Sequence, residues 1–170
     1  MLAVIADTHG TDDARLRGRT REAVEAADAV VHAGDFTTEA VLDDLAATAA
    51  TLYAVHGNSD DPAVRERLPD ARTLTFGGAT IAVTHTRRGG RTGLSLFGRE
   101  RGADLVVFGH SHRSTALTDG DGPALLNPGS HAEPRGNRAA HAEVEATPSG
   151  LDGRILTPAG DVLASFSVPV

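Results

Sequence analysis

The sequence contains no cysteine among its 170 residues. Disulfides and thiolate metal sites are excluded, so any bound metal has to be held by nitrogen and oxygen ligands. Lysine is absent too: all 16 basic residues are arginine, a compositional bias that carries no functional reading. Aromatic residues make up 4% against a hydrophobic fraction of 40%, so the core has to be built from Val, Leu, Ile and Ala. No apolar run approaches the roughly 18 residues that a membrane span needs. The apolar start, Met1 to Ala6, is short, lacks a basic flank and runs straight into Asp7, which does not describe a signal peptide. A cytoplasmic chain without a membrane partner is expected. The formal net charge of −7 argues against a general polyanion binder, so no nucleic-acid partner is expected and small substrates are favoured.

What is present suits a single domain over residues 1–170, with no internal repeat, low-complexity tract or linker. The pattern predicts a strand over Leu2 to Ala6 and a helix capped by Asp12 or Asp13 that runs to about Ala27, with Gly18 as its weak point. A strand over Ala29 to Ala33 follows, then a helix capped by Thr37 or Thr38 with Val41, Leu42 and Leu45 on one face. Thr51 to Val55 is a third strand, and Asp61 with Pro62 starts another helix. Arg72 to Phe76 and Ala79 to Thr84 alternate around Gly77 and Gly78 as a hairpin. A short helix around Leu94 to Arg101 leads to the apolar strand Leu105 to Phe108. Beyond it only short strands are expected, near Ser114 to Leu117, Ala124 to Leu126, Ala140 to Glu145, Gly153 to Leu156 and Val162 to Val168. Turns at Asp119 to Gly122, Pro148 to Gly150 and Pro158 to Gly160 make this part read as a meander. Alternating strands and helices followed by a run of strands imply an α/β chain of two packed sheets flanked by helices.

The functional content lies in where the polar residues fall. Five apolar strands end, one after another, at Asp7, Asp35, Asn58, His85 and His110. Ligands collect at the carboxyl ends of strands in open α/β sheets, which would bring these groups to one rim. His9 and His112, each two residues past such an end, complete a set of seven nitrogen and oxygen donors. Any one of them has an ordinary explanation as a turn residue. Together they do not, because five independent strand ends finish in metal-ligand types and several have an adjacent glycine that lets backbone approach closely. Two carboxylates, four imidazoles and one amide suit two divalent ions that share a carboxylate.

The motifs Asp7-Thr8-His9-Gly10, Gly34-Asp35, Gly57-Asn58-Ser59-Asp60, His85, Gly109-His110-Ser111-His112 and Asn127-Pro128-Gly129-Ser130 span most of the chain. In this order they resemble the calcineurin-like metallophosphoesterase family and, within it, the small YfcE-type phosphodiesterases. The resemblance implies a four-layer αββα sandwich, two mixed sheets flanked by helices. It implies Asp7, His9, Asp35 and His112 on one ion and Asp35, Asn58, His85 and His110 on the other, with Asp35 as the bridge. It also implies hydrolysis of small phosphate esters with manganese, or with nickel, iron or zinc. Asp35 and Asn58 take catalytic roles in this reading, and Asn58 and Ser59 hold the phosphate. Two divalent ions roughly 3.5–4 Å apart can hold a hydroxide between them and aim it at phosphorus. A phosphodiester is the first expectation; a phosphomonoester or nucleotide is the variant, and a scaffold like the retromer subunit of the same fold is the alternative from another class. Two positions depart from the family pattern. Ser59 stands where larger relatives carry a histidine thought to protonate the leaving group, and Thr86 follows His85 where glycine is common.

Among the other histidines, His32 reads as a core ring or one that supports a ligand, and His56 as a donor that orients one. His131 and His141 read as surface or substrate-rim residues. Arg87, Arg88 and Arg91, just after His85, are placed to attract an anionic substrate. Unpaired strand edges of the meander leave room for a dimer or tetramer.

Overall fold

Leu2 to Ile5 is apolar and fully buried at every position, as a strand covered on both faces must be. In a computed structural model that describes residues 1–118 and 121–170, it is the first of fifteen elements. The first half of the chain holds β1 (Leu2–Ile5), α1 (Gly18–Ala26), β2 (Ala29–His32), α2 (Glu39–Thr48), β3 (Leu52–Ala54), α3 (Pro62–Arg67), β4 (Ala71–Phe76) and β5 (Ala79–Thr84). The second half holds α4 (Gly90–Arg99), β6 (Leu105–Val107), β7 (Thr115–Leu117), β8 (Ala124–Asn127), β9 (His141–Thr147), β10 (Gly150–Leu156) and β11 (Val162–Pro169).

The strands form two mixed sheets, a six-stranded one in the order β11-β10-β9-β1-β2-β3 and a five-stranded one in the order β4-β5-β6-β8-β7. β1, β2 and β3 are parallel, and their crossovers place α1 and α2 on one face, over Ile5, Val30 and Phe36. β5, β6 and β8 are parallel as well, and α4 covers their outer face through Leu94 and Phe97. Between the sheets lies the main core, with Leu2, Val4, Val31, Ile81, Val83, Leu105, Val107 and Leu126 all buried. The result is the four-layer sandwich that the family resemblance implies, with parallel strands of both sheets ending on a common rim.

The elements depart from the sequence expectations in two places. The first helix starts at Gly18 rather than near Asp12, because Arg15 and Gly18 are left-handed (φ 52° and 48°). Asp13 instead accepts the Arg15 N–H at 2.7 Å, and Asp44 accepts that of Ala14 at 2.8 Å, so the loop needs no helical hydrogen bonds. The expected meander holds only for β9, β10 and β11; β8 is parallel to β6, and β7 pairs back on β8 in the other sheet. The turn expected at Asp119 to Gly122 lies partly outside the described residues.

Candidate metal centre

Each donor predicted from the sequence comes to the rim on a short loop beyond its strand. Asp7 and His9 follow β1, Asp35 follows β2, Asn58 follows β3, His85 follows β5 directly, and His110 and His112 follow β6. The loops from both sheets meet, and all seven side chains converge. Asp7, His9 and His112 form one group whose donor atoms lie within 4.8 Å of one another, and Asp7, Asp35 and His85 form a second. Asp35 reaches across, its Oδ2 standing 3.4 Å from Nε2 of both His9 and His85. Asn58 Oδ1 lies 3.1 Å from His85 Nε2 and 2.8 Å from His110 Nδ1.

Hydrogen bonds at the far side of the rings show what the near side presents. His85 Nδ1 donates to the Ala33 carbonyl at 2.7 Å, and His112 Nδ1 donates to the Glu133 carbonyl. In the neutral tautomer each Nε2 then turns a lone pair inward. His112 Nε2 faces His9 Nε2 at 3.2 Å and Asp7 Oδ1 at 3.7 Å, while Asp7 Oδ2 is buried with no hydrogen-bond partner among the described residues. Acceptors pointed at acceptors in a buried space fit a cation. Burial pushes Asp7 up to about 6 despite the nearby His85 and His112. Burial also acts upward on Asp35, but the hydrogen bonds from His85 and the Ser59 N–H outweigh it and hold that carboxyl well below the usual range. On His85, burial acts downward and Asp35 more strongly upward, so the imidazole is raised.

The backbone is strained where the donors sit. Asp7, His9, Asp35, His110 and His112 all have positive φ, between 45° and 74°. Non-glycine residues adopt this region only when their surroundings impose it. Here the imposing groups are polar side chains: Asp60, Asn127 and Ser130 from the motifs, and His32, the expected supporting ring. Asp60 Oδ2 accepts the N–H of Asp35 at 3.1 Å and of Gly57 at 2.7 Å, and its Oδ1 accepts that of Thr37 at 2.7 Å. One carboxylate thus ties the Asp35 loop to the Asn58 loop. Asn127 Nδ2 donates to the Gly109 carbonyl at 2.8 Å, and Ser130 Oγ donates to the Asp7 carbonyl at 2.7 Å. His32, fully buried, accepts the Gly34 N–H at Nδ1 (3.1 Å) and so donates from Nε2 to Thr8 Oγ1 (2.9 Å), which couples the first two loops.

Two expectations are corrected. His131 and His141 are buried, not at the surface or the substrate rim. His131 Nε2 donates to the Ala14 carbonyl at 2.9 Å. His141 sits between Thr20 Oγ1 (3.0 Å) and Glu143 (3.3 Å), whose carboxylate also takes two bonds from Arg19, so it fastens α1 to β9. Ser59 is exposed at the rim; its N–H donates to Asp35 Oδ1 at 2.8 Å, and its hydroxyl accepts from Asn58 Nδ2 at 3.2 Å. His56 is half-buried, with Nδ1 3.4 Å from the Gly57 carbonyl.

The calcineurin-like phosphoesterase superfamily domain matches residues 1–147. The chain belongs to that superfamily. A probable metallophosphoesterase of Methanocaldococcus jannaschii is 35% identical over 140 residues, which are 79% of this chain and 70% of that protein. Among solved structures, a predicted phosphoesterase of Streptococcus pneumoniae superposes with a TM-score of 0.75 at 27% identity, covering 98% of this chain and 96% of the other. Vps29 of Chaetomium thermophilum superposes with a TM-score of 0.78 at 17% identity over 99% and 98% of the two chains, a likeness of fold. Superfamily membership and the two Asp/His clusters together describe a metal-dependent phosphoesterase. Among the described residues no helix is long and apolar enough to cross a membrane.

Proposed function

We propose that the chain is a dimetal phosphodiesterase of the small YfcE type, acting on small phosphodiesters. The observation that carries this reading is the completeness of the donor set: seven competent groups from two sheets converge, with Asp7 Oδ2 left unpartnered among the described residues. Asp7, His9, Asp35 and His112 would hold one ion, and Asp35, Asn58, His85 and His110 the other. Bound there, two divalent cations, manganese before nickel, iron or zinc, would supply Lewis-acid polarisation of the phosphoryl group and a water of lowered pKa.

The rest is done by the chain's own residues. Asn58 turns its amide oxygen inward and its amide N–H₂ to the exposed rim beside Ser59, where both can donate to phosphoryl oxygens. Asp35 is held by the Ser59 N–H, so the group that receives the phosphate and the shared ligand move as one. Neither Asp60 nor His131 stands ready to protonate the leaving oxygen. Asp60 spends both its oxygens on backbone N–H groups, and His131 is buried with Nε2 committed to Ala14. An ester without a self-sufficient leaving group is therefore a slow substrate.

The test is a panel of diesters and monoesters assayed on chelator-stripped protein, with manganese, magnesium, nickel, iron and zinc titrated back and metal content measured. Diester hydrolysis restored by manganese better than by magnesium supports the proposal. Full activity in the stripped form overturns the metal requirement, and a preference for monoesters replaces diester by monoester chemistry. Two bound ions with no turnover of any ester would leave the scaffold reading that the Vps29-like fold suggests.

A further inference from the structure

A cavity of about 230 Å³ opens beside the donor cluster and shares Asn58 and His85 with it. Its remaining wall includes His56, Arg65, Thr86 and Arg87. We infer that this cavity is a specificity subsite for the second arm of the substrate, and that it selects an arm carrying a negatively charged oxygen group, a carboxylate or a phosphate. The inference rests on the phosphodiesterase reading and names the substrate class for it.

Charge is the first argument. The whole chain has a net charge of −7, yet two guanidinium groups line this cavity against one carboxylate, that of Asp70. Asp70 does not cancel them: its side chain is 71% exposed, and its contact with Arg87 Nη1 is long, at 3.6 Å. Exposed pairs at that distance are weak and leave the cation available.

Preorganisation is the second. Arg65 is pinned by donating from Nε to the Asp60 carbonyl at 2.9 Å and from Nη2 to the Asn58 carbonyl at 2.5 Å, so its position is set by the loop that carries a metal ligand. Arg87 lies with Cζ 4.4 Å from the centre of the Phe97 ring, and its buried Nε has no hydrogen-bond partner among the described residues. A guanidinium resting over an aromatic ring is already ordered, and its remaining N–H groups suit the paired oxygens of a carboxylate or phosphate. Of the three arginines expected to attract an anion, Arg87 alone borders this cavity; Arg88 and Arg91 line surfaces elsewhere.

Size is the third. At about 30 Å³ per water, the space suits an aryl ring or a pentose with one anionic substituent, not a polymer. Thr86, where the family pattern has glycine, stands on the wall beside His85 and adds a hydroxyl there.

The experiment uses manganese-loaded full-length protein and p-nitrophenyl phosphodiesters that differ only in the second arm: 4-carboxyphenyl, 4-phosphonophenyl or the neutral 4-carbamoylphenyl. All release p-nitrophenolate, so the departing group is constant. We expect kcat/KM to be on the order of tenfold higher for the charged arms, chiefly through KM, and the two charged arms show which oxygen group is preferred. Arg87→Gln should bring the charged-to-neutral ratio close to one, Arg87→Lys should restore part of it, and Arg88→Gln should keep it. A wild-type ratio of one or less with the neutral diester still turned over overturns the subsite alone, as does an unchanged ratio in both Arg87 variants. Failure to hydrolyse any of the three diesters with two ions bound overturns the phosphodiesterase reading, and the subsite with it.

Discussion

A β-carbon on Gly57 would stand 2.1 Å from Oδ1 of Asp35. The loop after β3 therefore passes against the Asp35 carboxylate with no space for a side chain. That closeness lets Gly57 and Asp35 offer their N–H groups to the same oxygen of Asp60. Gly57 is not among the residues of positive φ, so an alanine there is compatible with the backbone and its whole cost is steric.

Gly57→Ala should accordingly displace Asp35 while leaving every ligand in the sequence. Metal content measured after gel filtration should fall below two ions per chain, and kcat/KM should drop by at least about 10²-fold, the usual effect of a 1 Å misplacement. Two retained ions with normal turnover would show that Asp35 does not bridge the centre.

His131 sets an acid limit on stability that is independent of the metal ligands. Burial lowers its imidazole from 6.5 to about 4. Because the folded value lies below the unfolded one, the unfolded chain binds the proton first as pH falls. The stabilisation is complete above about 6.5 and is lost progressively down to about 4. That interval corresponds to about 3 kcal/mol at most. The gap between the urea midpoints of chelator-stripped protein at pH 7 and pH 4.5 should be smaller in His131→Gln than in the wild type; an equal loss in both would remove His131 from the account.

Serine at position 59, in place of an acid, has a kinetic signature. A positioned acid typically contributes about 10²–10⁴-fold, and a serine at position 59 cannot supply it. For a series of diesters with aryl and alkyl leaving groups, log kcat/KM should fall steeply as leaving-group pKa rises, aryl esters being fast and alkyl esters slow. A flat dependence would mean that another group, such as His56 on the wall of the cavity, protonates the leaving oxygen.

The convergence of the seven proposed donors was legible in the sequence because each follows an apolar run whose end is marked by a change in residue type, and a parallel sheet sends such ends to one side. The groups that hold them were not. Asp60, Asn127 and Ser130 work on backbone N–H and carbonyl groups of other loops, and nothing in a linear string says which backbone atom will be near. His131 and His141 were misplaced for the same reason: a histidine after the last motif looks solvated until a carbonyl such as Ala14 O, or a hydroxyl such as Thr20 Oγ1, is found to meet it inside. The start of α1 was obscured by Arg15, whose left-handed backbone is imposed by its surroundings rather than by its type.

The five donors held at positive φ set two selective pressures against each other. At every one of these positions a glycine would relieve a conformational cost of roughly 1 kcal/mol or more, and an asparagine part of it. Each such change would also remove or weaken a proposed ligand. In a lineage that no longer needs the chemistry, decay of the centre is therefore downhill in folding free energy, and the sandwich would outlast its reaction.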